Sequence, residues 1–218
     1  MRAGESDKPP RGLYVVVEGQ DGTGKSTQVA KLADYFCALD RETVVINEGA
    51  EVDSGLPSTD AIGKIIHAKK FALDGATNLL LFTTARIELW QKRIVPALER
   101  DAVVLASRNY FSTLAYQHFG EGVPRELIEN LTRQFLPERY LSPDKSVILV
   151  LDDAERARRM RVRSQAVAAD TFDSREADFF DKVNRGYEKI ARDLALPIID
   201  AGGSVDEVFA KIKAALEI

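Results

Sequence analysis

Leu13-Tyr14-Val15-Val16-Val17-Glu18-Gly19-Gln20-Asp21-Gly22-Thr23-Gly24-Lys25-Ser26 is the stretch that decides the fold. Its first half is a β-branched apolar run with the character of a buried parallel strand. Its second half fits G-x-x-x-x-G-K-[ST], and apolar residues at helical spacing follow (Val29, Leu32, Ala33 and Phe36 within Gln28–Leu39). A strand, this glycine-rich turn and a helix, in that order, form the context in which the motif cradles phosphate. The glycines let successive N–H groups point inward at phosphate oxygens, and the helix N-terminus adds partial positive charge. Lys25 supplies a full charge and Ser26 a hydroxyl suited to Mg²⁺. Gly19, Gln20, Asp21, Gly22, Thr23, Gly24, Lys25, Ser26 and Thr27 are therefore the expected nucleoside triphosphate site, with Mg²⁺ as the expected ion.

Four more short apolar runs lie outward from this stretch: Thr43–Ile46, Ala102–Leu105, Ser146–Leu151 and Pro197–Ile199. Helical periodicity separates them, over Asn78–Leu98 (with Pro96 in its last turn) and over Phe179–Leu194, where Val183, Tyr187 and Ile190 form a stripe. Alternating strands and helices predict a three-layer α/β fold of the P-loop type, a five-stranded parallel sheet with helices on both faces. Ligands in such sheets sit beyond the carboxyl ends of the strands. Glu48–Asp60 and Gln165–Ser174 are predicted to be loops. There is no internal repeat, so one domain is expected over residues 11–218, after a disordered N-terminus over residues 1–10.

The 218 residues are 45% hydrophobic and 29% charged, with a net charge of −4, ordinary for a globular domain. That balance gives no global basic field, so no nucleic-acid polymer is expected as partner. No apolar run approaches the roughly 20 residues that span a bilayer, so no membrane is expected either. The N-terminal residues lack the apolar segment of a secretory signal, and a cytoplasmic location is expected. The one cysteine, Cys37, excludes an internal disulfide and is predicted to be a packing residue.

Leu80-Leu81-Phe82-Thr83-Thr84-Ala85-Arg86, then Ser107-Arg108-Asn109-Tyr110-Phe111-Ser112-Thr113-Leu114-Ala115-Tyr116-Gln117, and later Asp178-Phe179-Phe180 with Gly186-Tyr187, together resemble the thymidylate kinases, P-loop enzymes that phosphorylate a nucleoside monophosphate. The resemblance runs from about Leu13 to Val208. It implies transfer of the γ-phosphoryl group of MgATP to dTMP, with dTMP as small-molecule partner and a homodimer as assembly. It also implies that Phe82 stacks on the base, Arg86 donates to a base carbonyl, and Thr113 and Gln117 meet the base edge. Tyr116 would wall the sugar, with Ser112 and Glu48 also at the acceptor. Arg108 would clamp its phosphate, a role suited to a planar guanidinium, and Asp21 would sit between that phosphate and Mg²⁺. The sequence departs from the family pattern at Ser107 (aspartate in the family), at Asn47 (commonly arginine) and in Asp170-Thr171-Phe172-Asp173.

Arg156, Arg158, Arg159, Arg161 and Arg163 crowd into eight positions after the fourth strand. Such a run reads as a solvated face, or as a lid over residues 156–175. The resemblance favours the lid, because Gly22 stands where some thymidylate kinases carry an arginine. At least one of Arg158, Arg159, Arg161 and Arg163 is then expected to touch the moving phosphoryl group. Two other readings remain open at this point. A deoxynucleoside kinase would use Glu48 or Glu51 as general base, and an ATP-binding protein would have lost turnover. A guanine-specific GTPase is disfavoured, as no Asn-Lys-x-Asp stretch is found.

Overall fold

The computed structural model describes residues 12–49, 54–68, 70–164 and 177–218. β1 (Leu13–Gly19) is the central strand of a five-stranded sheet in the order β2-β3-β1-β4-β5, with β2 at Thr43–Asn47, β3 at Val103–Ser107, β4 at Lys145–Val150 and β5 at Ile198–Asp200. Every pairing is parallel. Because helices cover both faces, alternate residues of one strand enter two different cores. Tyr14 and Val16 join one with Val104, Ala106 and Ile148, while Val15 and Val17 join the other with Val103, Leu105 and Leu149. That double burial is why the strands read as continuous apolar runs.

Helices α1 (Lys25–Cys37) and α10 (Val205–Leu216) cover the second core. The first lies under α3 (Gly75–Leu89), α5 (Tyr110–Thr113), α6 (Arg125–Phe135), α7 (Glu138–Leu141) and α9 (Ala177–Leu194). A short α2 (Pro57–Ile66) packs on α3, and α8 (Asp153–Ser164) follows β4. The connections after β1 and β3 leave on opposite sides of the sheet. Such a switch point opens a crevice at the strands' carboxyl ends.

Four expectations need correction. α2 occupies the end of the stretch expected to be a loop, since Pro57 supplies a preset φ in its first turn. The helix expected as one piece over Asn78–Leu98 begins at Gly75 and passes through a π-helical segment, Trp90–Ile94, before α4 (Val95–Glu99). Val95 N–H reaches back to Trp90 O there, a local widening that carries the helix into Pro96, which has no N–H to give. Cys37 is exposed rather than packed. The buried stripe of α1 runs through Val29, Leu32 and Phe36, and Cys37 is one residue, about 100°, past it. The strand ends also shift by a residue or two, to the bounds given above.

Residues 1–10, the loop 165–174 and Glu51 lie outside the described residues. Among the described residues, no helix is long and apolar enough to cross a membrane.

Candidate phosphoryl-transfer site

Gly22 (φ 88°) and Gly24 (φ 90°) take the left-handed backbone that the phosphate loop needs. Gly24 caps α1 without any side-chain hydrogen bond. A helix N-terminus of this kind offers backbone N–H groups to a phosphate. Ser26 and Thr27 are exposed there. Lys25 is folded back, donating to Gln20 O at 2.9 Å, with Asp21 Oδ1 3.7 Å from its Nζ. Gln20 in turn donates through Nε2 to Phe180 O at 2.9 Å, tying the loop to α9.

Arg108 follows β3 directly and sits at φ 72°. A non-glycine residue in that region costs about 1–3 kcal/mol and persists only where its surroundings enforce it. Glu18, fully buried, is what enforces it. Its Oε1 accepts from Asn109 N–H at 2.7 Å and Ser112 N–H at 3.0 Å, and its Oε2 accepts from the Ser112 hydroxyl at 2.8 Å and the Tyr187 hydroxyl at 3.0 Å. The chain on either side of Arg108 is thus pinned to the end of β1. The guanidinium then donates to the Asp21 carboxylate, to Ser112 Oγ at 2.9 Å and to Tyr187 Oη at 3.1 Å, and lies 5.3 Å from the Tyr116 ring centroid. Burial works against the Arg108 charge, but Asp21 and the surrounding acceptors outweigh it and hold its pKa well above the ordinary value. Asp21 also accepts from the Tyr116 hydroxyl at 3.4 Å. One carboxylate therefore touches the phosphate loop, Lys25 and Arg108.

The sequence-predicted acceptor residues gather beside this junction. Phe82 and Arg86 come from α3, with the Arg86 guanidinium 5.3 Å from the Phe82 ring centroid. Arg86 donates to Thr113 Oγ1 and, at 2.9 Å, to Asn109 O. Ser112 and Thr113 come from α5, and Tyr116 and Gln117 from a second π-helical segment, Leu114–Gly120. Glu48 requires correction. It is fully enclosed, accepting from the Tyr14 hydroxyl at 2.9 Å and from the Tyr140 hydroxyl. It stands behind Arg86, with Oε2 3.6 Å from Nε, and does not face the crevice.

Helix α8 lies over the phosphate loop. A Cβ built on Gly22 would meet Arg156 Cγ and Met160 Sδ at 3.2 Å, and one on Gly24 would meet Arg159 Nη1 at 3.9 Å. A side chain at position 22 would press on Arg156 and Met160 of α8 and would take up the left-handed φ of Gly22 at a cost. Arg159 is braced by Glu155 Oε1 at 2.9 Å and Ala201 O at 3.3 Å. Arg158 turns outward with 63% of its side chain exposed and pairs with Glu155. Arg161 is exposed, and the side chain of Arg163 lies outside the described residues. Arg156, which sequence reasoning left off its list of candidates, stacks 5.1 Å from the Phe180 ring centroid. Glu18 and the strained φ of Arg108 carried no signal in the sequence, and Tyr187 was read only as part of a packing stripe and of the family resemblance.

A family model described as "Thymidylate kinase" matches residues 17–212. Among curated relatives, the thymidylate kinase of Caldicellulosiruptor saccharolyticus is 30% identical over 208 residues, covering 95% of this chain and 97% of its own. That of Chlorobaculum tepidum is 33% identical over 215 residues, covering 94% and 97%. Among solved structures, a thymidylate kinase from Ehrlichia chaffeensis shares the fold with a TM-score of 0.73 at 23% identity, covering 94% of this chain and 98% of its own.

Glu18→Gln is expected to destabilise the protein by about 1–3 kcal/mol, since the new amide would set donors against the donors that Glu18 now satisfies. The midpoint of urea unfolding measures this, and an unchanged midpoint would refute the anchoring role given to Glu18.

Proposed function

The chain belongs to the thymidylate kinase family, and from that premise we propose how its own residues serve the reaction. The protein transfers the γ-phosphoryl group of ATP to dTMP, giving ADP and dTDP. Lys25 and the Gly19–Thr27 backbone hold the donor phosphates. Arg108 holds the acceptor phosphate, Phe82 and Arg86 its base, and Thr113, Tyr116 and Gln117 close the pocket around base and sugar, with Ser112 bracing Arg108. The observation that carries this reading is the Asp21 junction, where the donor lysine and acceptor arginine share one carboxylate. Two phosphates bound to those cations come into the proximity that in-line transfer requires.

Mg²⁺ fits the residues present. Among the described residues no group of three or more His, Cys, Asp or Glu forms a metal cage. Ser26 is exposed at the start of α1. An ion held mainly by substrate phosphates and water, with Ser26 and Asp21 as the chain's contribution, matches magnesium chemistry. When bound, it neutralises charge on the phosphates. The developing charge on the phosphoryl group is met by α8, with Arg159 and Arg156 the members set against the loop glycines.

A nucleoside acceptor would need a general base, whereas a monophosphate oxygen is already ionised. The enclosure of Glu48 by two tyrosines removes it from that role; Glu51, the other carboxylate weighed for it, lies outside the described residues. Exposed Leu80 on α3 and Leu127 and Phe135 on α6 support pairing of two copies through these helices, which pack against each other.

Lys25→Ala is expected to lower kcat/KM by about 10²–10³, the scale for removing one preorganised charge contact. Steady-state assay of ADP release with dTMP checks it, and undiminished turnover would overturn the assignment. Arg108→Ala is expected to raise the KM for dTMP about a hundredfold while ATP binding is kept. Equal loss of both ligands in calorimetric titration would count against a specific acceptor role. For the assembly, Leu80→Glu is expected to shift the sedimentation coefficient from dimer to monomer. A wild type that sediments as a monomer would remove the dimer.

A further inference from the structure

Glu48 takes no part in the steps above, yet the fold goes to some length to bury it. The carboxyl is completely enclosed, and burying such a group is costly unless its oxygens are answered. The Tyr14 hydroxyl, from β1, answers Oε1 at 2.9 Å, and the Tyr140 hydroxyl, from α7, answers Oε2. The two rings stack with centroids 6.3 Å apart, and Trp90 closes edge-on against both, at 5.7 and 5.5 Å. Burial, with Glu48 second, pushes both phenols well above their ordinary pKa, so they remain protonated donors.

This assembly faces the Arg86 guanidinium. The arginine has three sides to satisfy. Nη1 is held by Thr113 and Nη2 by Asn109 O. Nε is buried, makes no hydrogen bond and lies 3.6 Å from Glu48 Oε2. A bidentate ion pair would place two of the three guanidinium nitrogens on the carboxylate. Here the tyrosines take the carboxylate's close bonds, and the charge acts on Arg86 from slightly farther off, as a fixed field rather than a clamp.

We propose that Glu48, held by Tyr14 and Tyr140, is a positioning residue that orients Arg86 and so sets how well the enzyme distinguishes acceptor bases. The proposal rests on Arg86 meeting the base, as in the functional reading above. A guanidinium offers only donors, so a fixed Arg86 favours a ring carbonyl over a ring amine, and a loosened one favours it less.

Burial raises the carboxyl of Glu48 to about 7, against the opposing pull of Arg86 and the two phenols. Glu18, also on β1, adds to the rise. The charged and titratable groups that face Glu48 among the described residues are thus Tyr14 and Glu18 on β1, Arg86 on α3 and Tyr140 on α7. Below that pH the carboxyl is neutral and resembles a glutamine. Above it the charge on Arg86 is balanced.

The test is the ratio of kcat/KM for dTMP to that for dCMP, whose ring carries an amine where thymine has a carbonyl, measured from pH 5.5 to 8.5. The ratio cancels titration of the shared phosphate. In the wild type it should rise with an inflection near 7. In Glu48→Gln it should be about tenfold lower at high pH and flat, with the KM for dTMP raised and that for ATP unchanged. Tyr140→Phe removes a bond that lowers the Glu48 pKa, so the inflection should move to higher pH. A Gln variant that keeps both the ratio and its pH profile overturns the proposal. Should that variant fail to fold, an unmoved inflection in Tyr140→Phe overturns it instead. A wild type that turns over neither nucleotide sinks the functional reading itself, and this inference with it.

Discussion

The buried carboxyl of Glu18 is the constraint on which the site depends. It ends the central strand in a place no water reaches, and an unanswered carboxylate there would cost several kcal/mol. The fold answers it with two backbone N–H groups and a serine hydroxyl from the chain after β3, and with a tyrosine hydroxyl from α9. Those segments are 91 to 169 residues away in sequence. Satisfying one acid therefore fixes three elements relative to one another and offsets the backbone strain at Arg108. A site that must hold charge at a defined point gains from having its framework set before any ligand arrives.

Arg86 follows the same logic as Arg108. Each arginine assigned to the acceptor has a fully buried acid behind it, Glu18 behind the Arg108 turn and Glu48 behind Arg86. In neither case does the acid bind the arginine in a close bidentate pair. That arrangement stiffens the arginine without consuming the donors it needs for a ligand. Asp21 is the exception, in direct contact with Arg108 and only 28% exposed. It gives Arg108 and Lys25 a shared counter-charge, one that the phosphates of bound substrates would compete with.

The phosphate loop, the five strands and the long helices were legible in the sequence because their signals are local: a glycine spacing, a β-branched run, a repeat of 3.6. The arginine cluster on α8 was legible as a charge, but not as a choice among arginines. Arg156 and Arg159 lie against Gly22 and Gly24 while Arg158 turns away, and that depends on how a helix after β4 docks on a loop after β1. Glu48 was misjudged for the same reason. The family resemblance placed it at the acceptor, while Tyr14 and Tyr140, 34 and 92 residues distant, draw it inward. The π-helical widening at Tyr116 and Gln117 has no composition signature at all.

Helix α9 joins the phosphate loop to the turn that carries Arg108, which the proposed function makes the donor and acceptor sides. Its first turn lies on the donor side, where Phe180 O accepts from Gln20 and the Phe180 ring carries Arg156. Phe179, one residue earlier, meets Tyr116 on the acceptor side, with ring centroids 6.2 Å apart. Two turns on, Tyr187 reaches Arg108 and Glu18 together. The apolar stripe that identified this helix in the sequence is buried against the sheet, so a rotation of α9 would have to expose Val183 and Ile190 to water. At roughly 1.5–3 kcal/mol for each such side chain, that stripe holds in one orientation the contacts α9 makes to both substrates' sites. The stripe thereby links the packing of the core to the geometry of the junction at Asp21.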